Sequence, residues 1–221
     1  MTSNSTAAST PPRRAVDRML ALIAERVSDP RVLAAMRATP RHEFVRPSDR
    51  HRAYEDAALS IGERQTISQP LIVAIMSEAL ELTGSERVLE VGTGSGYQAA
   101  ILARLAAEVV SVERIVALRE RAAATLARLA ITNVRCLAAG ATLGASQHAP
   151  YDSIIVTAAA PDAPQALLDQ LRDGGRMVAP IGSRDQQELV VLTRTGDSCD
   201  RRVLTACRFV PLFGEGAFED R

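Results

Sequence analysis

Between residues 13 and 27 the apolar side chains Val16, Met19, Leu20, Ile23 and Val27 recur at three- and four-residue steps, the spacing that lines up one face of a helix. A second, shorter helix is predicted after Asp29-Pro30, a pair suited to an N-cap and a first helical turn. Val32, Leu33 and Met36 form its buried face and Thr39-Pro40 its stop. From Phe44 to Gln65 no period is sustained. The mixture of Pro47, Tyr54, Glu55, Asp56 and Gly62 there predicts a long surface connection, a kind of segment that often carries function. A helical run over 71–82 follows.

After Gly84 the pattern changes. Short β-rich runs over 87–91, 109–112, 134–137, 152–156, 177–180 and 189–192 alternate with Ala- and Leu-rich stretches over 97–106, 115–129 and 163–171 that read as helices. Strands alternating with helices of ten or more residues predict βαβ units, and so an α/β fold with a doubly wound, mostly parallel sheet preceded by N-terminal helices. Gly174-Gly175 falls where a helix should end and the next strand begin. With 221 residues, 47% of them hydrophobic, the chain can bury one sizeable core, and residues 13–221 are expected to form a single domain. Residues 1–12, rich in Ser, Thr, Ala and Pro, are expected to be a disordered tail. They lack the apolar run of a signal peptide or membrane anchor.

Charge and the rarer residues exclude several function classes. Lys plus Arg and Asp plus Glu number 26 each, so there is no cationic excess to hold nucleic acid. Cys136, Cys199 and Cys207 are odd in number and not closely spaced. They read as free thiols in a reducing compartment, and a cytoplasmic location is expected. His42, His51 and His148 are scattered among them, so no metal site is expected.

The candidate chemistry sits at 88–97, where the buried strand Val88-Leu89-Glu90-Val91 runs into Gly92-Thr93-Gly94-Ser95-Gly96 and then a helix. Glycines there let the backbone turn sharply and let a ligand approach where a Cβ would obstruct it, although a plain strand-to-helix turn can look the same. A second element narrows the reading. Glu113 ends the next strand 21 residues after Gly92, close to the interval of about 20 residues at which an acid reaches the ribose hydroxyls of a nucleotide. Gly92, Gly94 and Gly96 follow G-x-G-x-G, whereas a dinucleotide site needs a further glycine where Tyr97 stands. The acid Glu90 suits a cofactor carrying a sulfonium and an ammonium better than a pyrophosphate. Glu90, Gly92, Thr93, Gly94, Ser95, Gly96 and Glu113 are therefore the candidate contacts of S-adenosylmethionine.

Beyond the glycine turn, Pro40-Arg41-His42-Glu43-Phe44-Val45, Ile61-Gly62, Gln65-Thr66-Ile67-Ser68-Gln69-Pro70, Ser111-Val112-Glu113-Arg114, the segment 151–161 and Arg208-Phe209-Val210-Pro211-Leu212 together resemble the protein-L-isoaspartate O-methyltransferases. The Gln-Thr-Ile-Ser segment separates this family from general methyltransferases of the same Rossmann-like fold. The resemblance implies methyl transfer from S-adenosylmethionine to the free carboxylate of L-isoaspartyl residues in damaged proteins and peptides, followed by closure to a succinimide, in a monomeric enzyme with no nucleic-acid or membrane partner. It also implies that Ser68 is the active-site serine, a position that a helix N-cap would explain as well. Thr66, Ile67, the turn at 157–161 with Ala159, and Val210, Pro211 and Leu212 would then lie around the substrate.

One departure matters. Where the family has Gly-Asp-Gly, this chain reads Ala139-Gly140-Ala141, so Gly140 stands where an acid would accept from the adenine amino group. Two other readings stay open at this point: a carboxyl methyltransferase of the same fold acting on a different peptide or small acid, and a non-catalytic relative that binds altered peptides.

Overall fold

The computed structural model describes residues 13–219; the segment 1–12, expected to be a disordered tail, lies outside them. Helix α1 (Arg13–Ala24) buries Val16, Met19, Leu20 and Ile23. It ends three residues earlier than the period suggested, although Val27 is still buried and its N–H donates to the Ile23 carbonyl at 2.9 Å. Helix α2 (Pro30–Ala38) starts as its sequence requires: Pro30 takes the first position and the Asp29 carboxylate accepts from the Arg31 N–H at 2.8 Å.

The stretch from Phe44 to Gln65 is not the surface connection its aperiodic sequence suggested. Phe44, Val45, Ala53, Leu59 and Ile61 are buried, and a 3₁₀ helix (Pro47–Arg52) precedes a small hairpin. Its strands β1 (Leu59–Gly62) and β2 (Gln65–Ile67) pair antiparallel with Ser60 opposite Thr66. The elements are too short for a period to show. Helix α3 (Pro70–Ala79) follows, with Leu80 and Leu82 buried just after it.

The sheet then assembles from β3 (Arg87–Val91), helix α4 (Tyr97–Leu102), β4 (Glu108–Glu113), helix α5 (Val116–Arg128), β5 (Val134–Ala138), β6 (Tyr151–Val156), helix α6 (Gln165–Leu168), β7 (Leu171–Gly182), β8 (Gln187–Thr195) and β9 (Ser198–Cys207). The strand order is β5-β4-β3-β6-β7-β8-β9, parallel as far as β7 and antiparallel from β7 to β9. Strand alternation sorts the core into two layers. Val88, Val109, Ile155 and Val178 face α1 to α5, while Leu89, Val91, Val110, Ile154 and Met177 face Leu143, Leu167 and Leu212. The N-terminal helices share the first layer with the sheet.

Three expectations need correction. The helix expected over 163–171 is one turn, Gln165–Leu168, starting only after Pro164 and giving way at Leu171 to β7. Gly174-Gly175 does not mark the junction of helix and strand but lies within β7, where the register with β6 jumps from Tyr151–Leu171 to Ser153–Arg176. Gly174 there has φ 71°, and a Cβ on Gly175 would come within 2.8 Å of the Asp152 carbonyl. Strand β9, with most of its side chains exposed or half-buried, lies beyond the last strand expected. Among the described residues no helix is long and apolar enough to cross a membrane, and no group of three or more His, Cys, Asp or Glu is placed to hold a metal ion.

Candidate active site

Strand order reverses at β3: the chain continues from it to β4 on one side and later returns as β6 on the other. The carboxyl ends of β3, β4 and β6 therefore open a crevice of the kind in which α/β sheets hold ligands. The glycine turn fills its floor. Gly92 donates its N–H to the Val112 carbonyl at 2.9 Å and has φ 101°, and any Cβ there would collide with Thr157 Oγ1. Gly94 has φ 52° and would set a Cβ in ordinary contact with Ile61 at 3.6 Å, whereas a Cβ on Gly96, φ 85°, would press to 3.1 Å against Ala122. Gly92 therefore serves the close approach of the chain after β6, Gly96 the packing of α5, and Gly94 the left-handed bend of the turn. Thr157, expected near the substrate, donates from Oγ1 to the Gly92 carbonyl at 2.5 Å and clamps the turn.

Glu113 enters this turn from β4. Its Oε2 accepts from the Gly94 N–H and its Oε1 from the Ile115 N–H, both at 2.9 Å, so the carboxylate is fixed in orientation. Each oxygen keeps a further lone pair for a hydroxyl. Gly140 is one strand over: Ala139 donates to the Glu113 carbonyl at 3.1 Å, and Gly140 is exposed, with nothing nearer to an added Cβ than the Thr142 carbonyl at 3.9 Å.

Glu90 and Thr93 lie beneath the crevice rather than on its wall. Glu90 is fully buried. Its Oε2 accepts from the Ser111 hydroxyl at 2.5 Å, and Ser111 in turn shares a 2.5 Å hydrogen bond with the Thr93 hydroxyl. Burial pushes the Glu90 carboxyl up to about 8, against the pull of the Ser111 hydrogen bond and with a smaller contribution from Glu113. Burial, which the sequence could not show, thus favours the neutral carboxyl, against the charge that the sequence argument gave Glu90. Ser95 is half-buried on the crevice side, its Oγ accepting from the Tyr97 N–H at 3.3 Å.

The hairpin brings the second half of the site. Ile61 of β1 reaches within 3.6 Å of where a Gly94 Cβ would stand, and the Ile61 carbonyl is held by Arg121 at 2.7 Å. This places the hairpin beside the glycine turn, with exposed Thr66 and half-buried Ser68 following on β2 and after it, while the Ile67 side chain points into the core. Ser68 is not the cap of α3. Gln69 takes that position, and the Leu71 N–H that opens the helix is accepted by Asp56 Oδ1 at 2.9 Å.

The late segment meets the stretch that follows β6. Ala159 donates to the Val210 carbonyl at 2.8 Å and accepts from the Leu212 N–H at 2.7 Å, with Pro211 bridged opposite. Ala159 and Leu212 bury their side chains; Val210 and Pro211 stay half-exposed and form the accessible part. Sequence reasoning missed the aromatic anchors of this segment: the Arg114 guanidinium lies 4.8 Å from the centre of the Phe213 ring, and Arg184 lies 4.8 Å from that of Phe218. The only available signal was an arginine directly after Glu113.

A family model described as protein-L-isoaspartate(D-aspartate) O-methyltransferase matches residues 14–217. The protein-L-isoaspartate O-methyltransferase of Methanoculleus marisnigri is 53% identical over 189 residues, covering 86% of this chain and 86% of its own. That of Methanoregula boonei is 50% identical over 208 residues, covering 94% and 95%. A solved protein-L-isoaspartate O-methyltransferase superposes with a TM-score of 0.81 at 30% identity, over 91% of this chain and 67% of that one. A Plasmodium falciparum beta-aspartate methyltransferase in complex with S-adenosyl-L-homocysteine has the same fold, with a TM-score of 0.77 at 21% identity over 91% of this chain and 98% of that one. Identity of half or more over nearly the whole of two relatives, joined to a family match from residue 14 to residue 217, shows that this chain belongs to the protein-L-isoaspartate O-methyltransferase family.

Proposed function

We propose that the chain methylates the free carboxylate of L-isoaspartyl residues in damaged proteins and peptides, as a single cytoplasmic domain working as a monomer, with the glycine turn and Glu113 holding the cofactor and Ser68 positioning the acceptor. The observation that carries this is the contact of Ile61 with the Gly94 turn, which puts the Ser68 hairpin at the edge of the crevice that Glu113 lines.

The crevice fits S-adenosylmethionine. Glu113 is fixed by two backbone amides with lone pairs to spare for ribose hydroxyls. When bound, the cofactor supplies an electrophilic methyl group. Glu90, Ser111 and Thr93 brace the turn from below, so the candidate contacts reduce to Gly92, Gly94, Ser95, Gly96, Glu113 and the neighbourhood of Gly140. The acceptor carboxylate, with an unperturbed pKa of about 4, is ionised at pH 7 and needs no general base. The Ser68 hydroxyl donates a hydrogen bond that aligns it, and the half-exposed Val210 and Pro211 flank the peptide. Alignment and exclusion of water then supply most of the acceleration, because water favours the separated charges.

The deciding experiment incubates the protein with methyl-labelled cofactor and two peptides identical except for isoaspartate or aspartate at one site. Base-labile methyl ester is expected on the isoaspartyl peptide alone; label on neither peptide, or on both, refutes the reading.

Gly140 supplies a second expected result. It has room for a side chain and sits one strand from Glu113, so Gly140→Asp should restore the missing acceptor for the adenine amino group and lower the cofactor dissociation constant by about tenfold, the worth of one modest charged hydrogen bond. Titration calorimetry of both proteins measures it. An unchanged constant would mean that the amino group already has its acceptor.

A further inference from the structure

Arg41 is fully buried. Burying a guanidinium is costly unless its charge and its N–H groups are compensated. Here the compensation comes from backbone carbonyls and a ring. Nε donates to the Ala53 carbonyl at 2.8 Å, and one terminal nitrogen donates to the Ser68 carbonyl at 2.7 Å and more weakly to that of Ala57 at 3.4 Å. The guanidinium carbon lies 4.8 Å from the centre of the Tyr97 ring, so Arg41 ties the backbone of Ser68 to Tyr97, the residue that follows Gly96 out of the glycine turn.

Asp56 holds the same tip from the other side. Its Oδ1 accepts from the Leu71 N–H at 2.9 Å and its Oδ2 from the Gln69 side-chain amide at 3.2 Å. The backbone from Ser68 to Leu71 is thus held at both ends by two charged side chains, and one of these also rests on the helix that leaves the cofactor turn.

We propose that Arg41 and Asp56 are positioning residues for methyl transfer, fixing the Ser68 tip in register with the cofactor turn. This rests on the role of Ser68 given above. The physical ground is that a displacement of about 1 Å between reacting groups can cost on the order of 100-fold in rate.

The test uses the full chain in the Ser68 and Ser68→Ala backgrounds, with Arg41→Lys, Asp56→Ala and Asp56→Asn. It reads kcat and KM on the isoaspartyl peptide, cofactor affinity by calorimetry and amide exchange along 69–73. Arg41→Lys keeps the charge but loses the fork, and should lower kcat by about 10- to 100-fold with cofactor affinity changed less than about threefold. Asp56→Ala should lower kcat by about tenfold, and Asp56→Asn, which keeps an acceptor for Leu71, should recover most of that loss. Amide exchange should quicken at 69–73 only. In the Ser68→Ala background both losses should shrink to less than about threefold, since residues acting through one group are not additive. Losses that multiply with that of Ser68→Ala, or that track cofactor affinity, overturn the clamp. Unchanged turnover in Asp56→Ala does the same, and that variant decides the matter should Arg41→Lys not fold, because Asp56 is only half-buried. Full turnover by Ser68→Ala itself removes the serine and its clamp together, and that single variant distinguishes this failure from the others.

Discussion

Replacing Glu113 with alanine is expected to weaken S-adenosylmethionine binding by about 100-fold while the protein remains folded. The carboxylate does two things at once. It accepts the Gly94 and Ile115 amides at 2.9 Å each, holding the turn to the start of α5, and it presents its remaining lone pairs to the crevice. A hydrogen bond to a charged group contributes about 1.5 to 3 kcal/mol, so losing those to two ribose hydroxyls removes roughly 3 kcal/mol or more, about two decades in the dissociation constant. The fold survives because the main hydrogen bonds of the turn, from Gly92 to Val112 and from Gly96 to Thr93, are independent of the side chain. Calorimetry gives the constant. At saturating cofactor kcat should recover most of its wild-type value, since the interaction serves binding before it serves the chemical step. A constant within threefold of wild type would show that the ribose is held elsewhere.

The parts of the site legible in the sequence are those where one residue type has one physical use. Three glycines within five positions after a buried run mark a turn, and an acid at the end of the next strand marks its partner; the parallel pairing of β3 with β4 makes the interval from Gly92 to Glu113 a distance in space. Six of the seven strands of the large sheet were legible for the same reason, through apolar runs bounded by breakers. What failed to show was whatever depends on tertiary placement. Arginine is a surface residue by default, so nothing at Arg41 announces a buried cation. Glu90 reads as a ligand by its position, and its full burial, which favours the neutral carboxyl, shows only once β4 lies beside it and brings Ser111 directly opposite. Asp56 looks like one polar residue among many in a loop, and becomes a helix cap only when Leu71, fifteen residues on, is brought to it. Strand β9, paired on one side only and carrying charges, has no alternation strong enough to read.

For Ser68→Ala the expected result is a loss of about 100-fold in kcat/KM on the isoaspartyl peptide, with cofactor affinity and thermal midpoint close to wild type. The stability half of this follows from the cap: Asp56, not Ser68, satisfies the Leu71 N–H, and the Ser68 carbonyl held by Arg41 belongs to the backbone, which alanine retains. The kinetic half follows from the direction in which charge moves. The acceptor is an anion that loses its charge as the ester forms, so a hydrogen bond from Ser68 weakens along the reaction and gives no preferential stabilisation to the transition state. Its value lies in orientation, which one donor held on a fixed backbone can supply and a mobile water cannot. Truncation should therefore raise KM and lower kcat together, in contrast to Glu113→Ala, where saturating cofactor restores turnover. Restoring the hydroxyl as Ser68→Thr should recover part of both, because the added methyl group costs some alignment. If Ser68→Ala lowered kcat while leaving KM unchanged, the serine would instead be acting in the transition state alone, and the positioning role would be lost.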